Sequence, residues 1–347
     1  MQRNKKILIT RFSAIGDVAM TIPVVYSFAR QYPDIDVFFM SQPFLKQLFI
    51  DPPQNLYFIG FDSKTDGKNL AALTRFFFSL QKEKFDQIID LHDVLRTKYL
   101  RFLFAVSGVP SFHIDKGRKE KNDLTSQHKK EFKPLRTSID RYADVFKKAG
   151  YSFDITFRSL FQYTKPSTSK IHKLFGTKDT PWIGIAPFAK HAGKIYPLEK
   201  MEMLIRSLSE QGYKLFLFGA GKEELQSFEL WASKYSDVIV VGRQLKLAEE
   251  LLLMNELDLV VSMDSANMHF ASLAGTPVVS IWGATHPYAG FLGFNQADEN
   301  VIQTDLPCRP CSVFGNKPCL RKDYACLNQI APERIFEKIQ QLLITKK

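Results

Sequence analysis

An acid at the end of an apolar run, followed at once by a serine-led helical stretch, is the arrangement in this chain best able to do chemistry. It occurs within 258–287, DLVVSMDSANMHFASLAGTPVVSIWGATHP, where Asp264 and Ser265 stop a strand-like run. Behind them, residues 266–274 carry apolar side chains at helical spacing, and Gly275 can close that helix. The N–H groups opening such a helix favour an anion, of which a nucleotide diphosphate is the commonest large one. Asp264 and Ser265 can cap it, and the alternative is a plain strand-helix-strand packing unit. A second acid, Asp17, follows Ser13-Ala14-Ile15-Gly16 after the run 5–12. There it either compensates a helix dipole or takes a proton from a hydroxyl.

Other groups can join them. PFAKHAGKIYP (187–197) brings Lys190, His191 and Lys194 into one loop, able to face a diphosphate as mobile charges or simply to be solvated. Gly219-Ala220-Gly221 permits close approach of a nucleotide, with Glu223 or Glu224 behind it as ribose contact or as an ordinary first-turn acid. All four cysteines, Cys308, Cys311, Cys319 and Cys326, fall near the end; a structural zinc cluster or free thiols are the two readings. Gly16 alone after the first strand lacks the G-x-G-x-x-G pattern, which argues against a dehydrogenase.

The elements that must position these residues alternate. Strands are predicted at 5–12, 36–40, 56–60 and 85–91, with helices at 18–32, 43–49, 69–82, 94–106 and 138–149. The segment 115–133 is polar, carries seven Lys or Arg, and reads as a solvated, mobile flap. After a linker at 161–180 the alternation resumes from Trp182 and ends in a helix at 332–347. Alternation of this kind implies an α/β fold of two doubly wound parallel sheets with a cleft between them. The boundaries are 1–165, 181–330 and a terminal helix at 331–347 that can pack back on the first domain.

A length of 347 residues suits two domains, and 45% hydrophobic residues suffice for two cores. No apolar run is long enough to span a bilayer, and the start resembles a first strand rather than a signal peptide, so a cytoplasmic protein is expected. The net charge of +11 suits an anionic partner. Nucleic acid is disfavoured, because the basic flap is not interleaved with aromatics and no binding motif is present.

Four segments in order resemble the ADP-heptose:lipopolysaccharide heptosyltransferases, glycosyltransferase family 9. They are ILITRFSAIGDV with its S-x-x-G-D turn, Lys194-Ile-Tyr-Pro197, the stretch from Ser262 to Pro287, and the cysteine-containing end closing in CLNQIAPERI. The resemblance implies a GT-B fold and inverting transfer of a heptose from ADP-heptose to a lipopolysaccharide core hydroxyl. It implies Asp17 as general base, with Ser13 and Gly16 on the acceptor side, and Lys194 on the diphosphate. Asp264 would lie near the donor sugar, with Ser265, Ala266 and His269 around the phosphates, and Glu223 or Glu224 on the ribose. No cofactor is required in this reading. Ala266 stands where the family usually has glycine, Asn267 where proline or leucine is frequent, and Ala284 and His286 replace a usual Pro and Asp. Another nucleotide sugar or surface glycan, or a non-catalytic nucleotide-sugar-binding role, is the alternative. An anionic glycolipid acceptor at the inner membrane would give the flap, with Arg118 and Lys119, a steering role and the protein a peripheral membrane association.

Overall fold

The structure, a computed structural model, describes residues 3–345, and the chain forms two compact units. The first comprises the chain up to Lys116 and Ser138–Leu160; the second comprises Gly117–Thr137 and everything from Phe161 onward.

In the first unit, β1 (Lys5–Thr10), α1 (Ile15–Gln31), β2 (Ile35–Ser41), β3 (Leu56–Gly60), α2 (Leu70–Gln81), β4 (Gln87–Asp90), α3 (Leu95–Val106) and β5 (Ser111–His113) alternate as expected. The excursion α4 (Arg118–Thr125) belongs to the second unit, and α5 (Ser138–Lys148) returns to the first. The sheet is all parallel in the order β3-β2-β1-β4-β5. Side-chain alternation along β1 sends Leu8 to one face, where Leu73, Phe77 and Leu80 of α2 and Leu100 and Phe104 of α3 cover it. On the other face α1 meets α5 through the Phe28 and Phe146 rings, 4.7 Å apart. Two boundaries moved in a way that matters. β1 ends at Thr10, and α1 begins at Ile15, three residues before the helix start read from the apolar pattern. Asp17 is therefore inside the first turn. The predicted helix at 43–49 is a short 3-10 segment, Pro43–Leu48.

The second unit holds α6 (Ser169–Phe175), β6 (Trp182–Ala186), α7 (Leu198–Glu210), β7 (Lys214–Leu217), α8 (Lys222–Lys234), β8 (Val238–Val240), α9 (Leu247–Glu256), β9 (Leu259–Met263), α10 (Ala266–Ala274), β10 (Val278–Ile281), β11 (Val301–Ile302), α11 (Ala325–Asn328) and α12 (Pro332–Thr345). Its six parallel strands run β11-β10-β9-β6-β7-β8. β9 is buried throughout, as a strand covered on both faces requires.

Three domain expectations are corrected. The basic segment is not a free flap of the first domain. Leu124 and Leu135 pack with Ala289, Tyr288 and Phe291, Lys121 lies over the Phe291 ring, and Lys130 Nζ donates to the carbonyls of Pro307 and Arg309. These few apolar anchors are enough to fix an otherwise polar stretch. The linker at 161–180 contains α6, which buries Ile171 and Phe175. The terminal helix, expected to pack back on the first domain, is part of the second unit: Ile335 and Ile339 enter its core beside Met201, Leu204 and Leu208 of α7. Lys346 and Lys347 of that predicted helix lie outside the described residues.

Candidate functional site

Each sheet reverses strand order once, and ligands of open α/β sheets gather at the carboxyl ends of the strands flanking that point. In the first unit the flanking strands are β1 and β4. The chain leaving β1 turns through Arg11, Phe12 and Ser13 into α1. Arg11 is 7% exposed, and its Nη2 lies 2.9 Å from Asp17 Oδ2. The same oxygen accepts the Ala14 N–H at 3.1 Å, a reach-back that caps the helix. Oδ1 accepts no hydrogen bond among the described residues, and the Asp17 side chain is 30% exposed. One oxygen is thus held while the other stays open.

What holds Arg11 is a buried carbonyl and a buried ring. Its Nη1 donates to the Leu91 carbonyl at 2.7 Å, and its guanidinium lies over the Tyr142 ring. Burial works against its charge, but Tyr142, Asp17 and Asp90 outweigh that and raise its pKa further above the physiological range. Asp90, fully buried at the end of β4, accepts from Thr10 Oγ1 and from the His92 and Asp93 amides, and lies 3.1 Å from Arg101 Nε. His92 Nδ1 accepts the Phe12 N–H, so its proton sits on Nε2. Burial, with Arg11 and Lys116 adding to it, pushes the His92 pKa down to about 3, and the ring is neutral at physiological pH.

In the second unit β6 and β9 flank the reversal. Lys194 comes from the loop after β6 and Asp264 from the end of β9, and the two meet: Nζ to Oδ2 is 2.8 Å. Asp264 is 5% exposed and also accepts from Thr285 Oγ1 at 2.8 Å. Gly315, at φ +77°, lets the Lys194 stem run across it; a Cβ there would sit 2.7 Å from Lys194 Cγ. Ser265 occupies the N-cap of α10, but its side chain makes no capping bond and its hydroxyl faces that of Ser262 at 3.3 Å. The capping role expected of Ser265 is therefore not taken up by its side chain. Ala266 and Asn267 are half-buried in that first turn, and His269 is buried one turn on.

Sequence reasoning missed Arg309. It is 4% exposed and donates to the carbonyls of Trp282, Gly283, Thr285 and Thr304 and to Gln303 Oε1. It fixes the loop after β10 that carries Thr285 to Asp264. His286 in that loop accepts the Tyr288 N–H on Nδ1, and burial beside Arg309 lowers its pKa to about 4. No pattern in the residues around Arg309 marked it, because its partners are four backbone carbonyls and one amide side chain.

Glu223 and Glu224 separate cleanly. Glu224 is half-buried and its Oε2 accepts the Ala220 and Gly221 amides at 2.9 Å each, whereas Glu223 is exposed. The acceptor-side expectations split as well: Ser13 and Gly16 lie in the Asp17 turn of the first unit, whereas Arg118 and Lys119 are exposed on α4 of the second. The four cysteines are free thiols, and Cys311 and Cys326 are buried; burial pushes Cys326 up to about 11 and raises Cys311. Among the described residues no group of three or more His, Cys, Asp or Glu side chains is arranged to hold a metal ion.

The pattern of glycosyltransferase family 9 (heptosyltransferase) matches residues 73–320, which include Lys194, Glu224, Asp264 and Thr285. The chain is 25% identical to lipooligosaccharide heptosyltransferase 2 of Haemophilus influenzae over 97% of its own length and 99% of that relative. Among solved structures it resembles a family 9 glycosyl transferase from Veillonella parvula, with a TM-score of 0.74, 19% identity and 99% of each chain covered. It also resembles E. coli heptosyltransferase WaaC with ADP-2-deoxy-2-fluoro heptose, at TM-score 0.68 and 19% identity over 97% and 99% of the two chains.

Proposed function

This chain belongs to glycosyltransferase family 9 (heptosyltransferase), with two parallel α/β units of the GT-B class, and we propose that it transfers heptose from ADP-heptose to a hydroxyl of a lipopolysaccharide core acceptor. The observation that carries the mechanism is the divided Asp17 carboxylate. Arg11 and the Ala14 amide hold Oδ2, which leaves Oδ1 to take the proton of the acceptor hydroxyl as that oxygen attacks the anomeric carbon. The bond from that carbon to the β-phosphate oxygen breaks from the opposite side, the configuration inverts, and ADP leaves.

The second unit supplies what the leaving group needs. Lys194 is a mobile point charge parked on Asp264, and a donor diphosphate would draw it away. The α10 amides, with no capping side chain on them, would meet the same phosphates. Fixed amides and an ammonium stabilise ADP without requiring a metal. Glu224, held in place by two amides, supports a ribose contact better than the exposed Glu223. The donor assignment leans on the relatives, whose names and bound analogue speak of heptose. An acceptor anchored in lipid places the enzyme, in this reading, at the cytoplasmic face of the inner membrane as a peripheral protein.

A second reading, transfer from another nucleotide sugar, is favoured by Ala266, whose Cβ stands at the opening of α10. Calorimetric titration with ADP-heptose, ADP-glucose and UDP- and GDP-linked sugars separates the two. Binding of ADP-heptose alone, unchanged by chelator, is expected; tighter binding of any other sugar nucleotide overturns the donor assignment.

A further inference from the structure

The outer faces of α2 and α3 are apolar where a soluble helix is ordinarily polar. Leu95, Phe102 and Val106 are 86%, 61% and 74% exposed. Spacings of seven and four residues put all three on one line along α3. Beside them α2 exposes Phe78, at 64%, and Leu70, at 62%. The two helices are tied together at two points, by Thr74 Oγ1 to Tyr99 OH at 2.8 Å and by Gln81 Nε2 to Ser107 Oγ at 2.9 Å. Their apolar faces therefore form one patch. Contiguous exposed apolar surface of this kind marks an interaction site.

Charge selects the partner. Neither α2 nor α3 contains a single Asp or Glu, while Arg75 and Lys98 are exposed among the apolar residues and Lys82 is exposed at the end of α2. A second copy docking through the same face in a symmetric pair would set these cations against themselves. Apolar side chains rimmed by Lys and Arg instead match the boundary between lipid headgroups and acyl chains. We propose that the α2–α3 face is a docking surface for an anionic phospholipid membrane. The inference deepens the peripheral location proposed above: the first unit, which carries Asp17, would be the part that touches lipid. The exposed cations of α4, although basic, stand on a helix with no exposed large apolar residue.

The full chain is sedimented with vesicles of phosphatidylethanolamine containing phosphatidylglycerol and, separately, with phosphatidylcholine vesicles. Binding to the anionic vesicles alone, weakened by salt, is expected. Phe102→Ser with Val106→Ser, and independently Arg75→Glu with Lys98→Glu, should each lower the bound fraction about tenfold. Unfolding temperature and ADP binding should stay unchanged. Leu95→Ser, at the most exposed of these positions, serves should the first pair fail to fold. The proposal is overturned if the chain ignores anionic vesicles or if the variants bind as the unaltered protein does. It is equally overturned if only Arg118→Glu with Lys119→Glu abolishes binding, or if sedimentation velocity shows a dimer that Phe102→Ser dissolves. None of these outcomes touches the transfer reaction, which is read on soluble acceptor fragments.

Discussion

The β1–α1 turn and the β9–α10 turn are built from the same parts in opposite arrangements. Each places an aspartate where a strand beside the sheet's reversal point gives way to a helix, and each pairs it with a cation, at 2.9 Å for Asp17 and 2.8 Å for Asp264. Each also has a buried histidine nearby that accepts a backbone N–H on Nδ1. The difference lies in the cation and in exposure. Asp17 is held by an arginine that is itself fixed to a carbonyl and a ring, so the pair is a rigid mount that keeps one oxygen open. Asp264 is nearly sealed, and its partner is a lysine whose stem crosses a glycine. That pair can exchange partners. A base needs the first arrangement; an anion site that must fill and empty needs the second.

The largest expected effect tests the first turn. Asp17→Asn keeps the shape and the Ala14 contact but removes the proton acceptor, so turnover should fall by about 10²–10⁴-fold with donor affinity unchanged. A drop in donor binding of the same size, or unchanged turnover, would remove the contrast drawn between the turns. Lys194→Met comes next. Loss of a charge-assisted contact worth about 1.5–3 kcal/mol should weaken ADP binding roughly 10–100-fold. It also strands a buried carboxylate and lowers the unfolding temperature. Adding Asp264→Asn should restore the temperature and not the affinity, and recovery of both would show the lysine to be structural. Arg11→Lys is milder, about tenfold or less in turnover, because a charge remains while the fixed fork is lost. Unaltered turnover at unchanged fold stability would sink the mounting role.

The smallest effect is linked to pH. Both histidines have pKa values depressed in the folded chain, His92 to about 3 and His286 to about 4. Below about pH 6.5 the unfolded chain takes up these protons first, so the stability they allow is complete above that pH and lost as pH falls toward 4 and then 3. The slope is about 1.4 kcal/mol per pH unit for each ring, and His92→Gln should reduce it in urea unfolding between pH 6 and 4. A slope unaltered by that change would show that His92 is not buried as a neutral ring.

Much of the β9–α10 turn was legible because its signal is local. A continuous apolar strand, an acid, a serine and a short amphipathic run lie within fewer than twenty residues, and such periodicity survives without knowledge of the rest. Asp17 was found as a helix opener in the same way. Sequence alone left a base and dipole compensation both open for it, and the base role proposed above rests on Arg11 and on the carboxylate oxygen that stays open. The segment from 117 to 137 misled for a related reason. Its composition is that of a solvated loop, and only Leu124 and Leu135 reveal the anchors that bind it to the second unit.

What the sequence determined by itself is the alternation of strands and helices, and with it two parallel sheets and the acids that open α1 and stop β9. These follow from period and capping, which act over a turn or two of chain. Tertiary structure decided the rest: which cation meets which acid, that Arg309 spends its donors on carbonyls, and that Glu224 rather than Glu223 holds the loop amides. Some of those choices join residues far apart in sequence, as Lys194 with Asp264, and others join near neighbours, as Arg11 with Asp17; all depend on direction and burial. Neither quantity is written in a string of residue types.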